Sequence, residues 1–166
     1  MSKSKSKGGQ GTPATVALAQ AKVDFTLHPY EHDAGAQAYG EEAADALGLP
    51  YGRIFKTLVA EVEDGLAVAV VPVAGKLDLK AFAAALGSKR AAMADAAKVE
   101  RVTGYVVGGI SPLGQRRRLP TVIDASALDF ATIYFSAGRR GLQIETAPAE
   151  LVRLTEAITA PIGKAG

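Results

Sequence analysis

The chain has 166 residues, 48% of them apolar and 22% charged, with a formal net charge of +2 and no cysteine. That length suits one domain with a sizeable core, and that composition excludes an intrinsically disordered chain. The missing cysteines exclude a disulfide framework, a thiolate metal site and a protein thiol nucleophile; with no apolar run of membrane-spanning length and no signal-peptide stretch, a cytoplasmic protein is expected.

Residues 1–11 alternate Ser and Lys before a run rich in glycine, which reads as a solvated tail. The domain is expected over 12–160, with a second short tail at 161–166. Thr12-Pro13 carries an N-cap followed by an N1 proline and opens a short helix. Val23 to Tyr30 alternates apolar and polar residues, which predicts a strand. Gly40-Glu41-Glu42 starts a helix with acidic residues in its first turn, ended by Gly48.

Ile54 to Val62 and Leu66 to Val73 flank Asp64-Gly65, a strong hairpin signal. The second run is apolar throughout and so belongs in the interior of a sheet. Asp78 caps a helix over 79–86, Arg90 to Met93 suits a short strand, and Asp95 caps a helix that ends before Gly104. Strands are expected at Tyr105 to Val107, Thr121 to Asp124, Thr132 to Phe135 and Leu142 to Glu145, then a helix from Pro148 to about Ile158. No long period repeats, and several strands are joined by short turns. A mixed α/β fold with a curved mixed sheet flanked by helices fits better than a doubly wound parallel sheet.

Three segments could carry chemistry. Lys56 stands in a strand between Phe55 and Thr57, on the opposite face from both. On a pocket face it is a cation able to hold a phosphate or polarise a carbonyl; on the solvent face it does neither. The run Gly108-Gly109-Ile110-Ser111-Pro112 can bring backbone N–H groups close to an anion, or simply connect two elements. Ser136 enters a loop with Arg139 and Arg140, whose guanidinium forks suit phosphate oxygens. With so small a net charge, nucleic-acid binding would need local patches, and Arg116-Arg117 and Arg139-Arg140 are the candidates; solvated loops are the other reading. His28 and His32 are four apart, but Pro29 argues against the helix that would bring them together, so no metal site is expected. Tyr30, at a strand end, could wall a pocket.

The stretches YEHD, FKTL, AVAVVPVAGKLDLK, ALGSKRAAMAD, TGYVVGGISPLGQRRRLPTVID and FATIYFSAGRRGLQIE run in order across most of the chain, and together they resemble the YbaK/EbsC family. The resemblance implies the fold of the editing domain of prolyl-tRNA synthetases, a curved sheet or partly open barrel. It implies an aminoacyl-tRNA deacylase that removes cysteine from Cys-tRNA(Pro), with Cys-tRNA(Cys) as a further substrate; the alternatives are an editing enzyme of the same superfamily with Ala-tRNA(Pro) or broader specificity, and a non-catalytic module that binds tRNA or a synthetase. It also implies a partner in prolyl-tRNA synthetase and no cofactor. The family's lysine and its G-x-x-x-P loop fall on Lys56 and on Gly108 to Pro112. Tyr30, Thr57 and Ser136 would line the pocket. Gln143 departs from the aspartate that the resemblance implies at this position, keeping hydrogen-bonding capacity but losing a negative charge.

Overall fold

The computed structural model describes residues 11–33, 35 and 38–165. The N-terminal segment expected as a tail lies, but for Gly11, outside the described residues. The chain runs α1 (Pro13–Gln20), β1 (Thr26–Pro29), α2 (Tyr39–Leu47), β2 (Phe55–Val62), β3 (Gly65–Pro72), β4 (Gly75–Leu77), α3 (Leu79–Ala85), β5 (Ala92–Met93), α4 (Ala96–Thr103), β6 (Thr121–Asp124), β7 (Ile133–Arg139), β8 (Leu142–Thr146), α5 (Pro148–Thr155), β9 (Ile158–Ala160) and β10 (Gly163–Ala165). A 3-10 turn at Ala125–Asp129 joins β6 to β7.

The helix starts follow the local chemistry read from the sequence. Thr12 and Thr15 form a reciprocal capping box on α1, while Asp78 and Asp95 accept backbone N–H groups at the starts of α3 and α4. Asp64-Gly65 closes the β2–β3 hairpin in the register Val62↔Gly65 to Phe55↔Pro72.

The main sheet has the order β5-β2-β3-β6-β9 and is mixed: β2–β3 and β2–β5 are antiparallel, while β3–β6 and β6–β9 are parallel. Ala67 to Val71 are fully buried because β3 is central and covered on both faces. Val68 and Val70 face one core with Phe55, Val59, Phe135 and Ile144. Ala67, Ala69 and Val71 face a second core with Phe82 of α3 and Ile162. A second sheet, β1-β8-β7, packs across the first core, and the two together form the curved, incompletely closed wall expected from the sequence.

The structure corrects five boundaries. The strand expected at Thr132 to Phe135 continues through Ser136, expected in a loop, to Arg139, because β7 keeps pairing with β8 across a bulge. The strand expected from Val23 begins only at Thr26. Tyr105 to Val107 is a loop, since Val107 N–H is taken by the Glu100 carboxylate and Gly109 N–H turns back to the Val106 carbonyl. The last helix stops at Thr155, with Glu156 at φ +56, and releases Ile158–Ala160 to pair with β6. Gly163–Ala165, within the expected C-terminal tail, pairs antiparallel with β4, and Ile162 before it is fully buried.

Candidate functional site

β2 borders two strands on its outer edge but leaves a gap between them. β5 pairs with it only at Ala60 and Glu61, and Ala94 N–H reaches the Val59 carbonyl at 3.1 Å. At the other end, Tyr134 N–H donates to the Arg53 carbonyl at 3.2 Å. Backbone groups alternate in direction along an antiparallel strand, so those of Phe55 and Thr57 point out of the same edge as Val59 and Arg53. In the gap lies a cavity of about 320 Å3. Its walls are Ile54 and β2 residues 55–59, Met93 and Ala94, the start of α4, Tyr39, the loop Val107–Gly108 with Ile110, and Ser136 and Gln143. The lining is mainly apolar with a few polar groups, the character of a small-molecule site.

Lys56 is half-buried at this cavity, and its Nζ donates to the Gly75 carbonyl at 3.0 Å. That bond occupies one of the three ammonium donors and leaves two for a ligand. Gly75 belongs to β4, which β10 pairs in the register Gly75↔Ala165. A Cβ on Gly75 would lie 2.4 Å from the Lys164 carbonyl oxygen, so the anchor of the lysine needs glycine there.

Thr57 and Gln143 face the cavity from β2 and β8, 9% and 6% exposed. Thr57 Oγ1 and Gln143 Oε1 are, among the described residues, the buried side-chain oxygens without a hydrogen-bond partner. Orphaned polar atoms are costly, and here both line one space, which suits a donor group of a ligand. Ser136 pairs with Gln143 across β7–β8, and its Oγ accepts the Gly138 N–H at 3.0 Å, within the bulge between Ser136 and Arg139. Tyr30 stands outside the lining, its N–H bonded to the Gly141 carbonyl at 3.0 Å. Burial pushes the Tyr30 phenol up, against hydrogen bonding from the Gly141 backbone and the Gln143 side chain.

Of the glycine loop, Gly108 and Ile110 reach the cavity. Gly109 does not line it, and its N–H is consumed within the turn by the Val106 carbonyl at 2.9 Å. Ser111 is fully buried, and its Oγ accepts the Leu113 N–H, while Pro112 lines a separate depression with Leu113 and Arg118. Gly108 has φ +90, and a Cβ there would sit 2.6 Å from the Tyr39 ring and 2.8 Å from Arg140 Nε. Only glycine satisfies both conditions.

The arginines divide. Arg140 Nε donates to the Val107 carbonyl at 3.1 Å, and its guanidinium lies 4.4 Å over the Tyr39 ring. Arg139 and Arg117 are exposed, and Arg116, also exposed, donates to the Arg101 carbonyl at 3.3 Å. None of the four lines the cavity. His28 and His32 are bonded to separate carboxylates, Glu145 and Glu42, at 2.9 Å each. Among the described residues no group of three or more His, Cys, Asp or Glu side chains is placed to hold a metal ion.

Tyr39, Met93 and Gln143 complete the cavity beyond the lysine, the glycine loop and the serine. Gln143 was visible as a departure from a motif. Tyr39 had no local signal, because it reaches the site only through the packing of α2 against the loop.

Residues 32–154 match the aminoacyl-tRNA editing domain. The chain is 39% identical over 152 residues to an Enterococcus faecalis protein assigned as a Cys-tRNA(Pro)/Cys-tRNA(Cys) deacylase, EbsC, covering 91% of this chain and 92% of the relative. It is 28% identical to the multifunctional Ser/Thr-tRNA deacylase ProXp-y of Escherichia coli K12, covering 84% of each. A crystal structure described as a trans-editing enzyme for prolyl-tRNA synthetase superposes with a TM-score of 0.83 at 25% identity, over 96% of this chain and all of the other. With the fold, the collinear motifs and the family match in agreement, this chain belongs to the aminoacyl-tRNA editing domain family.

Proposed function

We propose that this editing-family chain is a deacylase that removes cysteine from Cys-tRNA(Pro), and that the cysteine supplies its own nucleophile. The observation that carries the reading is the convergence of Lys56, Thr57, Gly108, Ile110 and Ser136 on one cavity. The 39% identical relative assigned to cysteinyl substrates supports the choice of amino acid.

The chain has no cysteine of its own. A substrate thiol with a pKa near about 8.5 supplies a few per cent thiolate at neutral pH, and its proximity to the ester acts as a high effective concentration. Sulfur attacks the carbonyl carbon, the bond to the terminal ribose oxygen breaks, and a cyclic thiolactone leaves. The thiol proton ends on the ribose hydroxyl.

In this mechanism the protein positions the ester and supports the oxyanion. Lys56, with two ammonium donors beyond its Gly75 bond, holds the acceptor end. The N–H groups of Gly108 and Ile110 have no partner among the described residues and are the donors for developing negative charge. Gly109, with its N–H already taken, is left out of that role. Thr57 Oγ1 and Gln143 Oε1 accept from the substrate ammonium. Arg116, Arg117 and Arg139 meet tRNA phosphates, and prolyl-tRNA synthetase supplies the tRNA discrimination that so small a domain cannot.

Deacylation of Cys-tRNA(Pro), Ala-tRNA(Pro) and Ser-tRNA(Pro) by the wild type and Lys56→Ala tests the proposal. Cysteine is expected to be lost fastest, and Lys56→Ala to be strongly impaired. Equal rates for cysteine and alanine would remove the thiol from the mechanism. A fully active Lys56→Ala would remove the lysine.

The relative named for Ser/Thr-tRNA supports a second reading, in which the cavity takes a hydroxyl side chain. In the same assay that reading predicts seryl-tRNA loss matching or exceeding cysteinyl-tRNA loss.

A further inference from the structure

Val107 is gripped on both its polar atoms by side chains from outside its own turn. Its N–H donates to Glu100 Oε2 of α4 at 3.0 Å, and its carbonyl accepts from Arg140 Nε at 3.1 Å, with Arg140 Nη2 reaching the same oxygen. The Tyr39 ring under the Arg140 guanidinium keeps the fork in place.

A planar trans peptide points its C=O and the following N–H in opposite directions. Holding the Val107 carbonyl against Arg140 therefore fixes the Gly108 N–H on the far side of that peptide. A cationic hydrogen bond to the carbonyl also polarises the unit and makes its N–H a better donor. The Gly108 N–H has no partner among the described residues, and Gly108 lines the cavity.

We infer that Arg140, with Glu100 as its counterpart, is a positioning residue for deacylation: it clamps the Val107–Gly108 peptide so that the Gly108 N–H is held ready for the oxyanion. The inference rests on the deacylase reading for its chemistry, while the clamp can be measured without turnover. It differs from the role that an arginine beside an RNA site would ordinarily take, a contact to phosphate. Such a contact acts on binding and is weakened by salt, whereas a positioning role acts on the chemical step.

The test uses the full chain and two readouts. In single-turnover deacylation of Cys-tRNA(Pro), Arg140→Met is expected to lower the saturating rate about 100-fold, the loss typical of a misplaced oxyanion donor. The tRNA concentration for half-saturation should stay within about twofold of wild type, with an unchanged salt slope, and Arg140→Lys should recover part of the rate. Glu100→Leu should lower the rate in the same direction and Glu100→Gln, which keeps an acceptor, by less.

In the amide NMR spectrum, Arg140→Met and Glu100→Leu should each shift the Gly108 resonance, with Arg140→Lys falling between. A normal saturating rate combined with weaker, less salt-sensitive tRNA binding in Arg140→Met would overturn the inference in favour of a phosphate contact. An unmoved Gly108 resonance in a folded Arg140→Met would overturn the clamp even if the wild type proved inactive on every tRNA.

Discussion

The Asp124 carboxylate at the end of β6 accepts the backbone N–H groups of Ile162 at 2.9 Å and Gly163 at 2.8 Å through one oxygen, Oδ1. Its other oxygen takes the Ser126 N–H and hydroxyl. One side chain thus ties the central sheet to β10, which pairs with β4, whose Gly75 anchors Lys56. Asp124→Ala should leave the buried Ile162 N–H unpaired and cost about 2–3 kcal/mol, read by urea unfolding. It should also impair deacylation, because β4 loses its neighbour. A stable, fully active Asp124→Ala would disconnect β10 from the site.

The same carboxylate sets an acid limit on stability. Burial alone would raise the Asp124 pKa, but hydrogen bonds from Ser126, Gly163 and Ile162 outweigh it and hold the group below the usual carboxylate range. Glu145 is lowered similarly, burial being outweighed by hydrogen bonds from Thr132 and His28. A pKa lower in the folded chain than in the unfolded one means stability that is present above the unfolded value and lost as pH falls through the folded value. Melting temperature should therefore be flat near neutrality and fall once pH drops below the ordinary carboxylate range. Asp124→Asn should melt lower at neutral pH and show a shallower acid limb; a parallel limb would assign the acid loss elsewhere.

Gly108→Ala should lose activity out of proportion to stability. The φ of +90 costs a non-glycine residue about 1–2 kcal/mol, and the new methyl would push Tyr39 and Arg140 apart. The prediction is a folded protein by circular dichroism with a single-turnover rate reduced about 100-fold or more. Activity within a few-fold of wild type would count against the loop.

Thr57 and Gln143 should show the opposite relation. Each keeps a buried oxygen without a partner, a state that destabilises the protein while no ligand is bound. Thr57→Val removes one such oxygen with little change in shape and should raise the unfolding free energy by about 1 kcal/mol while weakening substrate use. Gln143→Asp adds a negative charge and should lower KM for an aminoacyl group carrying a free ammonium, with less effect on an N-acetylated one. Equal effects on both substrates would place the ammonium elsewhere.

Much of this fold was legible in local chemistry. Asp64-Gly65 marked the β2–β3 hairpin, the uninterrupted apolar run of β3 its central place, and the aspartates at 78 and 95 the helix starts. The misses are places where tertiary pairing decides. Tyr105 to Val107 has strand-like residues, but its polar backbone is claimed by Glu100 and by its own turn. Gly163–Ala165 carries no strand propensity and is ordered by β4 and Asp124. At the site, Lys56 was marked by a charge in an apolar strand, and Gly108 by its motif. The partnership of Arg140 with Val107 spans 33 residues and had no trace in either local sequence.

The gap along β2 has a consequence for how such a site could change. The cavity is bounded at one end by the two-residue pairing of β5 and at the other by the bridge between Ile54 and Tyr134. Its floor is an interrupted seam, so its length is set by where hydrogen-bond pairing stops and starts. Extending β5 by one pair of residues would zip the seam toward Thr57 and shorten the chamber without touching Lys56 or Gly108. On the proposed deacylase reading, insertions and deletions at residues 94–95 are thus a route to a different amino-acid preference that leaves Lys56 and Gly108 in place.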